Sequence, residues 1–486
     1  MRWIEPGDPI RPVSRPLPRT GVLAMDKLNW HHLPYGELAI SPRTGGWAVF
    51  EGRERTALER VARVEDAGPL EPLLDVAWKS ALITVDGAST YDEAAHAAAV
   101  AETRDYYTIV LLLNSGCNLV CSYCYLGHAT PTRDRSMDLA HARATIRAAL
   151  DQPWSSVLVD FGEIAAAERQ FRALLPWAED EAAARGKVLR ASIQTNGTTL
   201  DDELADFLAL HGVSVGISLD GPRDIHDGAR RFRSGEGSYD KAVAAIGRCR
   251  DRDVRVHLIA TVTQRAVGRS RDILAEITAH HPDSYLVKPV LSQGEAAAAW
   301  DAEGLSPVDF DAFMADLVSG ADTSGSELIE QSAHKFLLRL LGDRGGWRDS
   351  CTSRYCGSGK SLHVASSDGS LHACPRFVAD AGNELPLVQI TKKPQIGRVE
   401  LRDLLPADLR HPPPTCEGCS WLGSCGGGCT LAGQGTEHSV PLPDPNCHGY
   451  MAIHETLFRT IIPSFLAGRH HGSRVFNGAE LHEVLT

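Results

Sequence analysis

From residue 104 to about 318 the chain alternates short apolar, β-branched runs with stretches whose apolar residues recur at helical spacing. The runs are YYTIVLLLN, SSVLVDFGE, VLRASIQTNG, VSVGISLDG, VRVHLIATVT and SYLVKPVL. Between them lie amphipathic stretches such as DLAHARATIRAALDQ, DDELADFLALHG and SYDKAVAAIGRCRDRD. This pattern predicts six βα units in succession. Strands joined by helices pair in parallel through right-handed crossovers, so the expected class is α/β, either an open doubly wound sheet or an incomplete barrel. In both arrangements chemistry gathers where strands end at their C-terminal side. A cysteine-rich loop follows the first run, and Glu163, Asn196, Asp220, Thr263 and Lys288 end the next five.

The flanks follow other patterns. Residues 1–103 contain a hairpin signal, YGELAISPRTGGWAVFEG, then two helical stretches and a short strand LITVDG, which predicts a small winged-helix-like module. Residues 319–348 read as a linker helix, 349–449 as a cysteine-rich region, and 450–486 as a helical tail.

Charge narrows the partners. Forty-nine Lys and Arg against 62 Asp and Glu leave a net charge of −13, which repels a phosphate backbone and argues against nucleic acid. The apolar run at residues 109–113 is far shorter than a membrane span, and the first twenty residues show no apolar h-region. The expectation is a cytoplasmic protein without a membrane partner, whose thiols stay reduced. Eleven of the 12 cysteines fall into two groups, which points to metal. The remaining one, Cys249, lies in a helical stretch and reads as a partly buried thiol.

The first group is Cys117, Cys121 and Cys124 in NSGCNLVCSYCYLG. Three thiols are too few for a closed zinc site and too many for one disulfide, so the spacing suggests a centre with one position open. A partial zinc site or buried free thiols are the plainer readings. This CxxxCxxC loop after the first strand resembles the radical SAM superfamily, in which three cysteines hold a [4Fe-4S] cluster and S-adenosylmethionine occupies the open iron. The resemblance continues in DFGE, QTNGTTL, GISLDGPRDIHDGAR and GSYDKAV. It implies an incomplete (β/α)6 TIM barrel, with Tyr123 near the adenine, Glu163 receiving the SAM ammonium, and Asn196, Ser218, Asp220 and Arg230 as further SAM contacts. Asn196 and Asp220 each precede glycine and could instead make turns, and Arg230 could be a solvated charge. In DFGE, Phe161 stands where the family carries the first of two glycines, or else one glycine is lost, a departure expected to shift how the methionine moiety is held and the ground for reading a retired scaffold.

The second group is Cys351, Cys356, Cys374, Cys416, Cys419, Cys425, Cys429 and Cys447. With CEGCSWLGSCGGGC at its centre, it resembles the SPASM extension of radical SAM enzymes that modify peptides and proteins. By that resemblance Cys351, Cys356, Cys374 and Cys429 hold one auxiliary [4Fe-4S] cluster and Cys416, Cys419, Cys425 and Cys447 another, giving three clusters in all. A pair of zinc knuckles is the alternative.

The implied activity is formation of a 5′-deoxyadenosyl radical and oxidative modification of a ribosomally made precursor peptide, for example a cyclophane, ether or thioether cross-link. An electron donor such as flavodoxin or ferredoxin would be a partner. Residues 1–103 would capture a leader by strand addition, or merely cap the barrel. Lys288 is the candidate for the substrate step, pairing a carboxylate or moving protons, and His226 is a weaker one in a loop. A formylglycine-forming sulfatase-type maturase and a retired iron–sulfur scaffold are the rival readings.

Overall fold

The computed structural model describes residues 16–25, 27–102, 106–125, 136–323, 330–340, 356–375, 378, 412–429 and 444–462. The chain divides into two compact units. One comprises Met1–Arg104, Ser332–Cys356 and Ala407–Thr486, the other Asp105–Gln331 and Gly357–Pro406.

In the first unit, strands β1 (Leu23–Met25), β2 (Asn29–Leu33), β3 (Gly36–Ile40), β4 (Trp47–Phe50) and β5 (Ile83–Val85) make two antiparallel sheets, β2-β3-β4 and β1-β5. The expected hairpin is β3 and β4, and β2 adds a strand that periodicity does not suggest. NWHHL lacks the usual alternation because Asn29 and His31 face polar partners rather than a core. Ala39, Phe50, Leu58, Leu74, Trp78 and Leu82 are among the buried residues that join these sheets to helices Gly52–Leu58 and Glu71–Lys79. Helices Gln331–Leu340 and Cys447–Thr456, with the cysteine loop 412–429, belong to this same unit. The described residues of 16–102 thus belong to one compact unit with these distant parts of the chain.

The second unit carries β6 (Tyr106–Leu111), β7 (Ser156–Asp160), β8 (Val188–Thr195), β9 (Ser214–Ser218), β10 (Val256–Val262), β11 (Ser284–Pro289), β12 (Leu362–Ala365) and β13 (Leu371–His372). Strands β6 to β11 pair in parallel in chain order, as six successive βα units require. This is the partial barrel. Strand β12 pairs in parallel with β6, Leu362 opposite Thr108 and Ala365 opposite Leu111, and β13 returns antiparallel. The hairpin around SSDGSLHAC therefore covers a sheet edge of this unit, satisfying backbone groups that β6 would otherwise leave unpaired.

The barrel strands alternate more than strands buried on both faces would. In β6, Tyr107, Ile109 and Leu111 are fully buried, while Tyr106, Thr108 and Val110 are only half-buried. In β10 the buried set is Val256, Leu258, Ala260 and Val262. The pairing register puts Asp160, Ser192, Gln194, Ser218, Thr261 and Lys288 on the opposite, less covered face. That face is where a substrate could reach polar side chains.

Candidate functional site

The first cysteine loop leaves β6 and lies along residues 229–232. Val120 N–H donates to the Arg231 carbonyl (2.7 Å) and Ser122 N–H to the Ala229 carbonyl (3.0 Å). A second support comes from the end of β8. Asn196 Nδ2 donates to Cys117 Sγ (3.6 Å) and Asn118 Oδ1 (3.0 Å), while Asn118 Nδ2 donates to Thr198 Oγ1 (2.7 Å). Asn196 Oδ1 also accepts from Thr198 N (2.9 Å), so the same residue makes a turn and faces a thiol.

A third support was not visible in the sequence. Ser122 Oγ, between Cys121 and Cys124, donates to Glu303 (2.8 Å), and Glu303 pairs with Arg265 (2.9 Å) while only 1% exposed. Glu295 N–H donates to the Cys124 carbonyl (3.0 Å). Glu303 sits in DAEGLSP, which reads as linker and carries no motif.

Glu163 is anchored at the rim by three donors. Its carboxylate accepts from Asn196 N (2.7 Å), Ala165 N (2.9 Å) and Thr195 Oγ1 (2.9 Å). Burial nevertheless raises its pKa above the ordinary glutamate value. Phe161 continues β7, donating to the Ser192 carbonyl (2.9 Å), and its ring packs edge-on against Phe171 (5.0 Å). It is fully buried there, and Gly162 at φ +55° makes the turn to Glu163. The phenylalanine side chain thus lies in the core.

Asp220 is the centre of a buried network. Its carboxylate accepts from the Tyr123 hydroxyl, from Arg230 Nε (2.9 Å) and from Thr261 N (3.0 Å). Arg230 also stacks over the Tyr123 ring, 5.2 Å from its centroid, so it is no solvated surface charge. Burial pushes the Asp220 carboxyl up, but the Arg230 guanidinium, His226 and the hydrogen bonds outweigh it and hold the pKa below the ordinary value. His226 lies on helix Arg223–Ala229, not in a loop, and is buried. Its Nδ1 accepts from Asp220 N (3.3 Å) and its Nε2 is hydrogen bonded to Ser238 (3.0 Å), so it braces this network. Ser218 and Lys288 share the open barrel face, Lys288 opposite Thr261 and exposed. Cys249 is fully buried in its helix, apart from both groups.

In the first unit, Cys416, Cys419, Cys425 and Cys447 line one cavity with Trp421, Leu422, Asp444, Tyr450 and Met451. Gly426, Gly427 and Gly428 follow at φ +76°, +86° and +65°. A Cβ at Gly427 would lie 2.8 Å from Pro412 and one at Gly428 2.6 Å from Asp444, so the turn admits only glycine. Asp444 accepts from Cys429 N (2.7 Å) and closes the turn. Cys356 is half-buried, Cys374 is buried beside β13, and Cys351 lies outside the described residues.

The thiols fit iron–sulfur clusters on their own chemistry. Four thiols share one cavity wall. A polynuclear cluster spreads its ligands in that way, one thiolate to each iron. Around the first loop, Leu119 N–H and Asn196 Nδ2 both point at Cys117 Sγ, the donors that stabilise a ligated thiolate. Burial pushes the free Cys121 thiol up to about 12 and those of Cys416 and Cys447 to about 11, so loading must release protons.

Residues 111–268 match the radical SAM superfamily. Fe-coproporphyrin III synthase of Methanosarcina barkeri is 27% identical over 70% of this chain and 87% of its own length. A cysteine-type anaerobic sulfatase-maturating enzyme of Clostridium perfringens is 23% identical over 72% of this chain and 95% of its own. Among solved structures, anSMEcpe with bound AdoMet and Cp18Cys peptide superposes with a TM-score of 0.58 at 21% identity, covering 73% of this chain and 97% of that one. Streptococcus suis SuiB bound to precursor peptide SuiA gives 0.50 at 14% identity, over 88% and 99%. These structural likenesses establish the shared fold.

Proposed function

Since residues 111–268 form a radical SAM domain, we propose that the protein is a maturase that oxidatively modifies a ribosomally made precursor peptide, joining side chains by a cyclophane, ether or thioether bond. The observation that carries this reading is the pairing of a three-thiol loop, set against Glu163 and Asn196, with a second cavity walled by four thiols. When bound, the clusters and S-adenosylmethionine supply a 5′-deoxyadenosyl radical and an acceptor for the electron left on the substrate.

The protein's own groups bind and orient. Cys117, Cys121 and Cys124 would hold the first cluster, and Glu163 would receive the SAM ammonium. Asn196 directs N–H at Cys117, and Tyr123, within the loop, is fixed by Asp220 and Arg230. Asp220 and Arg230 act here by holding Tyr123, while Ser218 and Lys288 stand on the open barrel face. Lys288 would pair with a peptide carboxylate. Cys416, Cys419, Cys425 and Cys447 would hold one auxiliary cluster, and Cys351, Cys356, Cys374 and Cys429 the other.

Support for a precursor peptide comes from SuiB, which accounts for 88% of this chain. The sulfatase-maturating relative favours a second reading, conversion of a Ser or Cys side chain to formylglycine. One assay separates them. With dithionite and SAM, 5′-deoxyadenosine should form, and a candidate precursor should lose two hydrogens per cross-link. Turnover of a sulfatase-derived Cys or Ser peptide instead would select the second reading, and formation of Fe-coproporphyrin III from a tetrapyrrole precursor, with no peptide modified, would exclude both. Formation of no 5′-deoxyadenosine by fully reconstituted protein would refute the enzymatic reading.

A further inference from the structure

We propose that the N-terminal sheet is the outer support of the distal cysteine loop, with Asn29 and His31 as positioning residues for the cluster that Cys416 and Cys419 help to hold. This rests on the reading of those thiols as cluster ligands. All the contacts below lie within the first unit.

Side chains alternate along β2, so Asn29 and His31 share one face and Trp30 and His32 the other. Asn29 Nδ2 donates to the Gly418 carbonyl (2.6 Å) and to Ser420 Oγ (3.0 Å). His31 Nε2 is hydrogen bonded to the same Ser420 hydroxyl (2.7 Å). These acceptors flank Cys419 on both sides. The His31 ring stacks on Trp421 at 5.2 Å, and Trp421 stacks on His454 at 5.0 Å, with interplanar angles of 23° and 20°. His454 Nε2 in turn is hydrogen bonded to Ser424 (2.8 Å), the neighbour of Cys425. Gly423 presses on the turn between β3 and β4, where a Cβ would lie 2.2 Å from Gly45 Cα and N. The segment that joins Cys419 to Cys425 is therefore held between an N-terminal strand and a C-terminal helix.

That grip bears on the cluster because the stability and potential of an iron–sulfur centre follow the hydrogen bonding, burial and rigidity of its ligand loop. Residues 1–103 are then neither a dispensable cap nor a freely separable recognition module. Removing them would expose Trp421, which is 3% exposed in the intact unit, and free the Cys419 loop.

The test uses the full chain, reconstituted anaerobically with iron and sulfide, with folding followed by thermal melting. Cys416→Ala sets the reference and should lose about a third of roughly 12 irons per chain. Asn29→Ala/His31→Ala should lose a comparable share, or keep it with a shifted potential and electron paramagnetic resonance signal for that centre. His31→Gln, whose amide can still reach Ser420, should restore much of the loss. His32→Ala, on the opposite face with its side chain 83% exposed, should match wild type. Full iron with an unshifted signal and potential in the double variant would overturn the proposal. Full iron in Cys416→Ala would instead overturn the underlying cluster assignment.

Discussion

Replacing Asp220 by Asn keeps its shape but leaves the Arg230 guanidinium buried without a counter-charge. The two are 2% and 9% exposed and meet at 2.9 Å. Breaking a buried pair by removing one partner costs about 3–5 kcal/mol. Loss of the Tyr123 and Thr261 donors' charged acceptor is part of the same event and does not add to that figure. At about 2–4 °C per kcal/mol for a unit of this size, the melting temperature should fall by about 6–20 °C. Arg230→Met should cost a similar amount, because it strands the carboxylate. The double variant removes both charges and should cost less than the sum of the singles, with a coupling of about 2–3 kcal/mol.

Urea unfolding of the metal-free chain, followed by far-ultraviolet circular dichroism, measures all three variants. Since the folded Asp220 carboxyl titrates below its ordinary value, its contribution is complete above the unfolded value of about 3.9 and fades as pH falls through the folded one. The gap between wild type and Asp220→Asn should therefore be flat from pH 7 to about 5 and shrink below about 4. The effect should also reach the first cysteine loop, because Ala229 and Arg231, on either side of Arg230, accept its backbone N–H groups. Strictly additive costs, or a gap that widens in acid, would refute the reasoning.

Replacing Cys117, Cys121 and Cys124 together by Ala should remove about a third of the iron and all 5′-deoxyadenosine formation, read by iron assay and chromatography. Glu303→Ala should cost about 1–3 kcal/mol, limited because the Arg265 side chain is 41% exposed and can turn to water, and should lower iron retention at the first loop. His363, hydrogen bonded to Tyr107 at 2.7 Å, has its pKa pushed down to about 4 by burial. Its contribution is complete above about 6.5 and is lost at about 1.4 kcal/mol per pH unit as pH falls towards 4, and His363→Phe should lessen the slope of the unfolding free energy by that amount, the buried His226 and His454 keeping the rest. Lys288→Met should change stability by no more than about 0.5 kcal/mol, since the side chain is exposed, while lowering modified peptide formed per 5′-deoxyadenosine, measured by mass spectrometry.

What can be read along the chain and what cannot divides by the range of the contact. The six parallel strands are legible because each carries its own apolar run and its own helix, and such units have one way to stack. The cysteine groups are legible because ligand spacing is a local property. The supports of those groups are not. Asn29 and Gly418 are 389 positions apart, and Ser122 and Glu303 are 181 apart. A polar residue that is buried by a distant partner looks, in sequence, like one exposed to water. NWHHL consequently fails to announce a strand, and DAEGLSP resembles a linker although Glu303 is nearly inaccessible. Phe161 is a further case: beside a glycine motif it reads as a departure at a ligand site, and only the fold shows that its ring, just past β7, packs against Phe171. Alternation puts Phe161 on the covered face, opposite to Asp160, and the turn at Gly162 then leads the chain to Glu163. Candidate ligands therefore follow from spacing, while the groups that brace them follow from which distant strands the fold brings against them.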